Sequence, residues 1–105
     1  MKKTKHFGIR MSQRGVTREM VDFVLELGGQ DGDMISLSKK ELEGLKAELD
    51  RREKAYRQRG LDSQTRELGL KKRVTMKLLD KGGLVVVTEG GHLITTYHYG
   101  NGRKH

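Results

Sequence analysis

Three side chains near the start of the chain have the types and spacing of a phosphate-handling site. His6, Arg10 and Arg14 follow one another at intervals of four residues, so on a helix they lie along one stripe that drifts by about 40° per step. Arginine offers paired donors to phosphate oxygens, and histidine can accept or release a proton near neutral pH. The stripe therefore suits phosphodiester cleavage, with Lys3 adding positive charge. The alternative is a solvated basic face with no specific role.

A second group of candidate side chains lies near the end of the chain. In a strand over Thr-Thr-Tyr-His-Tyr, alternation places Tyr97 and Tyr99 on one face and His98 with Thr96 on the other. Cleavage of RNA through a cyclic phosphate needs a base for the 2′-hydroxyl, a cation for the developing charge and an acid for the leaving oxygen. The candidate catalytic residues are therefore His6 together with His98 or Tyr97. The tyrosines are alternatively core residues.

Other chemistries lack their motifs in this sequence. It contains no phosphate-binding loop of the G-x-x-x-x-G-K-[ST] type, no G-x-S-x-G and no cysteine, and its four histidines do not have the spacing of a closed metal site. We therefore predict that the protein uses neither a metal nor a cofactor.

The charge pattern favours a polyanionic partner. The chain has 22 Lys+Arg against 14 Asp+Glu and a formal charge of +8, which favours RNA or the ribosome through counterion release. Positive charge is concentrated in residues 1–18 and 66–81, whereas residues 19–38 contain Asp and Glu but no Lys or Arg. If the second basic segment lies beside the first helix, Lys72 and Lys77 extend one positive patch.

The sequence shows no feature of a membrane or secreted protein. The longest apolar run, residues 84–87, is far shorter than the roughly 18 residues that a membrane span requires, and no signal-peptide pattern follows the first lysines. The absence of cysteine is compatible with a reducing compartment. We expect a soluble cytoplasmic protein that makes no membrane contact.

Two short helices are predicted to position the first group of side chains. Thr4 can cap a helix over residues 5–13, and Thr17 can cap a second helix that ends at Gly28. The QDGD segment that follows is typical of a turn, and residues 34–37 are predicted to form a short strand.

The middle of the chain is predicted to be helical. Ser38 and Glu41 form the pattern of a capping box ahead of a long helix over residues 39–59. The apolar seam of this helix is either its core face or a short dimerising coiled coil, which makes a homodimer one alternative. The seam consists of Leu42, Leu45, Leu49 and Tyr56. Residues 68–79 fit both helical spacing and strand alternation, and we favour a helix.

The end of the chain has the pattern of a β-hairpin. Two β-branched and aromatic runs flank the glycines of EGGH, which predicts that residues 84–88 pair antiparallel with residues 93–99. Residues 100–105 are expected to form a mobile basic tail. The sequence thus predicts one α+β domain over residues 1–105, with N-terminal helices and a long middle helix packed on a C-terminal antiparallel sheet.

Both ends of the sequence resemble a bacterial domain family of unknown function. The matching pieces are HFGIRMSQRGV and EMVDFVLELG at the start, and DKGGLVVV and LITTYHY at the end. The family's hallmark is H-x-x-x-R-M-x-x-R-G-[IV], and it has been likened to the barnase, EndoU, colicin and RelE group of ribonuclease toxins. The middle of the chain resembles a variable insertion.

The resemblance carries the family's histidine to His6, its arginines to Arg10 and Arg14, and its terminal strand to Thr96 and Tyr97. It implies a RelE-like fold and a toxin-like RNA-binding protein, for which metal-independent RNA cleavage is one activity. It also implies an acidic antitoxin as a neutralising partner.

One departure from the broader toxin group concerns positive charge on the sheet. The two hairpin strands contain no Lys or Arg, so the charge of a transition state would rest on the N-terminal arginines unless Lys72 or Lys77 reaches the site. Two other functions stay open. One is a non-catalytic nucleic-acid or ribosome-binding module that uses the same patch, and the other is a regulatory protein-interaction domain that uses residues 19–38 and the long helix.

Overall fold

The computed structural model describes residues 2–99, so the tail predicted at residues 100–105 lies outside the described part of the chain. The described helices are α1 (Lys5–Arg14), α2 (Arg18–Leu27), α3 (Lys39–Gln58) and α4 (Asp62–Asp80). The strands are β1 (Lys2–Lys3), β2 (Gly29–Asp31), β3 (Met34–Ser38), β4 (Gly83–Glu89) and β5 (His92–His98). The predicted α+β class is confirmed.

The first helices begin at the predicted capping residues. The Thr4 hydroxyl accepts a hydrogen bond from Phe7 N at 3.1 Å and donates one to the Leu93 carbonyl at 2.9 Å. This side chain therefore caps α1 and also ties it to β5. Thr17 caps α2 by accepting from a backbone N–H of the first turn, and Ser38 and Glu41 form the predicted capping box of α3.

The strands form one sheet in the order β1-β5-β4-β3-β2. The predicted hairpin is confirmed, because β4 pairs antiparallel with β5 from Leu84 opposite His98 to Glu89 opposite His92, with a bulge between Val87 and Thr88. The short β1 is parallel to β5 and adds an N-terminal edge strand that the sequence did not predict.

The QDGD segment differs from its prediction as a turn. Its first residues belong to β2, which pairs antiparallel with β3, and only Gly32 and Asp33 make the turn. Gly32 has a φ of 61°, a left-handed conformation that glycine adopts without strain. The neighbouring strand β3 supplies hydrogen-bond partners to polar residues that have low intrinsic strand propensity, so pairing overrides the local preference.

All four helices contribute to a core on one face of the sheet. Alternation places Ile35, Leu84 and Val86 on this face, and the helices cover it with apolar side chains of their inner faces. The helices supply the core residues Phe7, Met11, Met20, Val21, Phe23, Val24, Leu42, Val74 and Leu78. Met34, Val85 and Tyr97 occupy alternate strand positions and therefore lie on the opposite face.

Helices α3 and α4 pack along each other as an antiparallel pair. Residues 68–79 are helical, as predicted, and belong to a helix that begins earlier, at Asp62. The packing of the chain determines whether the apolar seam of α3 is exposed. Leu42 is buried in the core, Leu45 packs against the core, and Leu49 is 4 % exposed. The seam is therefore largely covered by its own chain, as the core-face alternative requires, and the alternative of a coiled-coil homodimer lacks a free apolar stripe on α3.

Candidate nucleic-acid interface

The predicted stripe lies along one flank of α1. Phe7 and Met11 turn into the core, which leaves the neighbouring positions of His6 and Arg10 at the border between the core and the solvent. His6 is exposed and Arg10 is half-buried. The Arg10 Nε donates a hydrogen bond to His6 Nε2 at 3.5 Å. Because Nε2 accepts in this contact, the ring proton of His6 is on Nδ1.

The C-terminal end of the stripe meets the last strand. His98 lies on the helix-covered face of the sheet, and its Nε2 is 3.4 Å from the Arg14 carbonyl oxygen. Since a carbonyl only accepts, the contact requires a proton on Nε2 of His98. The Nε of Arg14 is buried without a hydrogen-bond partner. The structure thus brings the His98 ring to the backbone of Arg14, at the end of α1.

His6 is separated from this pair along the helix. It lies in the first turn of α1, and Arg14 is the last residue of the helix, a separation of about 12 Å at 1.5 Å per residue. His6 with Arg10 on α1, and His98 of β5 beside Arg14, are therefore two neighbouring pairs along α1 rather than one cluster.

Tyr97 lies on the other side of the sheet. Its hydroxyl donates to the sulfur of Met34 at 3.4 Å, on the face opposite the helices. The alternation expected for this strand therefore holds, and its consequence is that Tyr97 does not join the histidines and arginines in one site.

A second source of positive charge reaches α1 from the end of α4. A surface cavity of about 290 Å³ lies between α1, α2 and α4, and Lys77 and Lys81 line it together with Gly15 and Thr17. The Lys81 ammonium is 2.9 Å from the position that a Cβ on Gly15 would take, so it lies directly over the end of α1. Asp80 is the acidic member of this lining. We call Arg14, His98, Lys77 and Lys81 the basic end.

The other two predicted phosphate-binding lysines lie apart from the basic end. The amine of Lys3 lies beside the first turns of α1, 3.7 Å from the position of a Cβ on Gly8. Lys72 instead joins α4 to α3, with its Nζ 2.7 Å from Asp50 Oδ1 and 3.2 Å from Glu53 Oε1. The hydrogen bond with Asp50 raises the pKa of Lys72, and the same contact holds the pKa of Asp50 below its ordinary value. Lys72 therefore has a structural role between two helices.

Sequence reasoning missed Lys81. In the sequence it belongs to DKGG, which reads only as a break after a helix, and no local pattern connects it with Gly15. The expectation that residues 66–81 lie beside the first helix was the available indication, and the positions of Lys77 and Lys81 agree with it.

Within residues 2–99, no group of three or more His, Cys, Asp or Glu side chains is arranged to hold a metal ion. None of the helices in that part of the chain combines the length and the apolar content needed to cross a bilayer.

Comparison with known proteins gives no family model that matches the chain, and no curated protein or solved structure that is similar to it. The family resemblance of the two chain ends stays a prediction.

Proposed function

We propose that this protein binds RNA through the phosphates, at the basic end and along the adjoining flank of α1. The observation that carries the proposal is the meeting of Lys77 and Lys81 with the end of α1. These lysines come from a distant part of the sequence, and they lie beside Gly15, the residue that follows Arg14.

The electrostatics of the basic end favour a bound polyanion. Arg14, Lys77 and Lys81 have no ion pair within the described residues, and the chain as a whole carries +8. Unpaired like charges repel one another, and a phosphate backbone relieves this repulsion while it releases its counterions. We choose RNA over other polyanions because of the toxin-like resemblance of the chain ends. The cytoplasm as its place rests on the absence of cysteine and of a signal-peptide pattern. An acidic antitoxin would compete for the same end.

The proposal is tested by measuring the affinity for a labelled single-stranded RNA by fluorescence anisotropy at several salt concentrations. The variant Lys77→Gln/Lys81→Gln removes two charges from the basic end. The matched control, Lys40→Gln/Lys54→Gln, removes two exposed and unpaired charges from α3. We expect the first variant to lower the slope of log affinity against log salt by about 1.4, at roughly 0.7 per lost phosphate contact.

We expect the control pair to change that slope much less, because α3 does not border the cavity. Equal losses for the two variants, or an affinity that does not depend on salt, would contradict binding at the basic end.

Metal-independent cleavage of the bound RNA is a second candidate, favoured by the contact between the side chains of His6 and Arg10 at 3.5 Å. An imidazole beside a guanidinium supplies a proton carrier and a cation for the charge that develops on phosphate. His98, which contacts the backbone carbonyl of Arg14 at the other end of α1, is the second candidate proton carrier. Tyr97 lies on the opposite face, so the proposal does not use it as an acid.

Cleavage is tested with purified protein, free and ribosome-bound RNA, and EDTA to exclude metal-dependent contaminants. We expect that His98→Gln or His6→Gln lowers the cleavage rate about 100-fold or more, with little change in RNA affinity. The variant that loses activity identifies which pair acts. If the wild-type protein cuts neither substrate, the binding function stands alone.

A further inference from the structure

The acidic segment of the chain forms one wall of a groove that the RNA-binding proposal does not use. The groove lies between α2 and α4 and has a volume of about 440 Å³. Its floor contains the buried Phe23 and Val74, and its edges carry Leu27 and Leu70, which are 45 % and 54 % exposed. Two half-exposed leucines on either side of an apolar floor leave apolar area in water that a partner would bury.

The α2 wall of the groove is acidic. Glu19, Asp22 and Glu26 line it at intervals of three and four residues, and thus follow two turns of one helix flank. Asp22 pairs with Arg18 at 3.0 Å, whereas Glu19 and Glu26 have no ion pair within the described residues. The α4 wall contributes the cation Lys71.

We propose that this groove binds a basic amphipathic helix of a partner protein. Leucine-type side chains of the partner would fill the space between Leu27 and Leu70, and its Lys or Arg side chains would follow the α2 wall at the same helical spacing. The chain carries a net charge of +8, so the acidic α2 wall differs from most of the surface. Charge complementarity at this wall favours a partner that presents Lys or Arg side chains.

The same charges argue against other occupants. Two copies of the chain meeting groove to groove would place Glu19 and Glu26 against acids of the same kind, which is unfavourable. RNA and anionic lipid surfaces would meet the same repulsion. The groove and the basic end share no residue, although α4 contributes to both.

The test uses a synthetic helical peptide with a leucine stripe flanked on one side by lysines at helical spacing, and the same peptide with glutamate in place of lysine. Binding is followed by fluorescence anisotropy, and the contact surface by NMR shifts of the leucine methyl groups. We expect the lysine peptide to bind and to shift Leu27 and Leu70, and the glutamate peptide to bind at least tenfold more weakly.

Two variants and their controls locate the binding. Leu70→Ser is expected to lower the affinity for the lysine peptide about tenfold. Ile9→Ser, which changes a residue 48 % exposed on α1, is expected to leave that affinity unchanged. Glu19→Gln/Glu26→Gln is also expected to weaken it about tenfold. Its control, Glu43→Gln/Glu89→Gln, removes two exposed and unpaired acids elsewhere.

The proposal is overturned if both peptides bind equally, if the groove variants behave like their controls, or if Leu70→Ser dissociates a homodimer. RNA affinity, measured in parallel, is expected to persist in all four variants. The result for the groove can therefore be separated from that for the basic end.

Discussion

At the scale of single residues, the placement of a side chain on one face of a strand decides its chemistry. His98 and Tyr97 are adjacent in sequence, yet His98 contacts the Arg14 carbonyl and Tyr97 contacts Met34 on the opposite face. Strand alternation makes this separation unavoidable. A site built from both side chains is therefore incompatible with β5, and the neighbours of His98 come from α1.

Thr4 is a residue with two structural roles. Replacing it with Ala removes the cap of α1 and the hydrogen bond to the Leu93 carbonyl, and we expect a loss of about 1–2 kcal/mol in the free energy of unfolding. Chemical denaturation with circular dichroism measures this loss. Thr4→Ser retains the hydroxyl and serves as the control. A loss as large for Ser as for Ala would show that the methyl group, rather than the hydroxyl, stabilises this junction.

The paired glycines at the start of β4, Gly82 just before it and Gly83 as its first residue, are expected to differ in their tolerance of a side chain. Both have positive φ, 75° at Gly82 and 100° at Gly83. A Cβ on Gly82 would meet nothing within 4 Å, whereas one on Gly83 would lie 2.5 Å from the Leu37 carbonyl oxygen. We expect Gly82→Ala to cost about 1–2 kcal/mol and Gly83→Ala to cost more, because the backbone of β3 must shift. Thermal unfolding of the two variants makes the comparison, and equal costs would exclude this close approach.

At the scale of elements, α3 and α4 depend on each other. Leu49 on α3 and Leu68 on α4 are both buried outside the main core, and Lys72 connects the helices through Asp50 and Glu53. These ion pairs are partly solvated, so their contribution to stability is modest and responds to salt and pH.

The ion pairs of Lys72 predict a pH-dependent stability. Because the folded state lowers the pKa of Asp50, the stabilisation is present at neutral pH and is lost as the pH falls through the folded-state pKa of this carboxyl. The raised pKa of Lys72 gives the opposite pH dependence: its stabilisation is lost as the pH rises through the folded-state pKa, at strongly alkaline pH.

The variant Lys72→Met tests this dependence, because it keeps the alkyl chain and removes the charge. We expect a lower Tm than wild type at neutral pH and a difference that shrinks in acid. The control is Lys54→Met, which changes an exposed and unpaired lysine of α3. A difference for Lys72→Met that stays constant with pH would mean that lost packing, not the ion pair, lowers the Tm.

At the scale of the whole molecule, the described chain is elongated, with dimensions of 45 × 27 × 24 Å. The sheet and all four helices share the main core, but its described members include no residue of α3 after Leu45 and none of α4 before Val74. Elements with fewer buried apolar contacts open at lower free energy. The molecule therefore has a stable body and a less stable helical extension.

Hydrogen exchange is expected to resolve these two parts. Amides of the outer halves of α3 and α4, around residues 52–66, should exchange faster than those of β4 by at least tenfold, because local opening there leaves the core intact. Leu49→Ala should accelerate this region selectively, whereas Leu42→Ala, which changes a core residue, should destabilise the whole chain by about 2–5 kcal/mol. Uniform protection over the helices and the sheet would contradict a separate extension.

Local sequence patterns determined most of the secondary structure. The caps at Thr4, Thr17 and Ser38 act on the next turn of the chain, and the β-branched runs around EGGH pair across a short connection. Such interactions span few residues, so they can be predicted from spacing alone. The exceptions are β1 and β2, which are strands because a neighbouring strand supplies their hydrogen-bond partners.

Tertiary structure alone decided which candidate side chains share a site. The sequence by itself determined that His6, Arg10 and Arg14 lie along one helix flank, because that arrangement depends only on helical spacing. Three other contacts join residues that are far apart in the chain: Lys81 lies beside Gly15, His98 contacts the Arg14 carbonyl, and Lys72 forms an ion pair with Asp50. These contacts follow from how the four helices pack on one face of the sheet, and no local propensity encodes that packing.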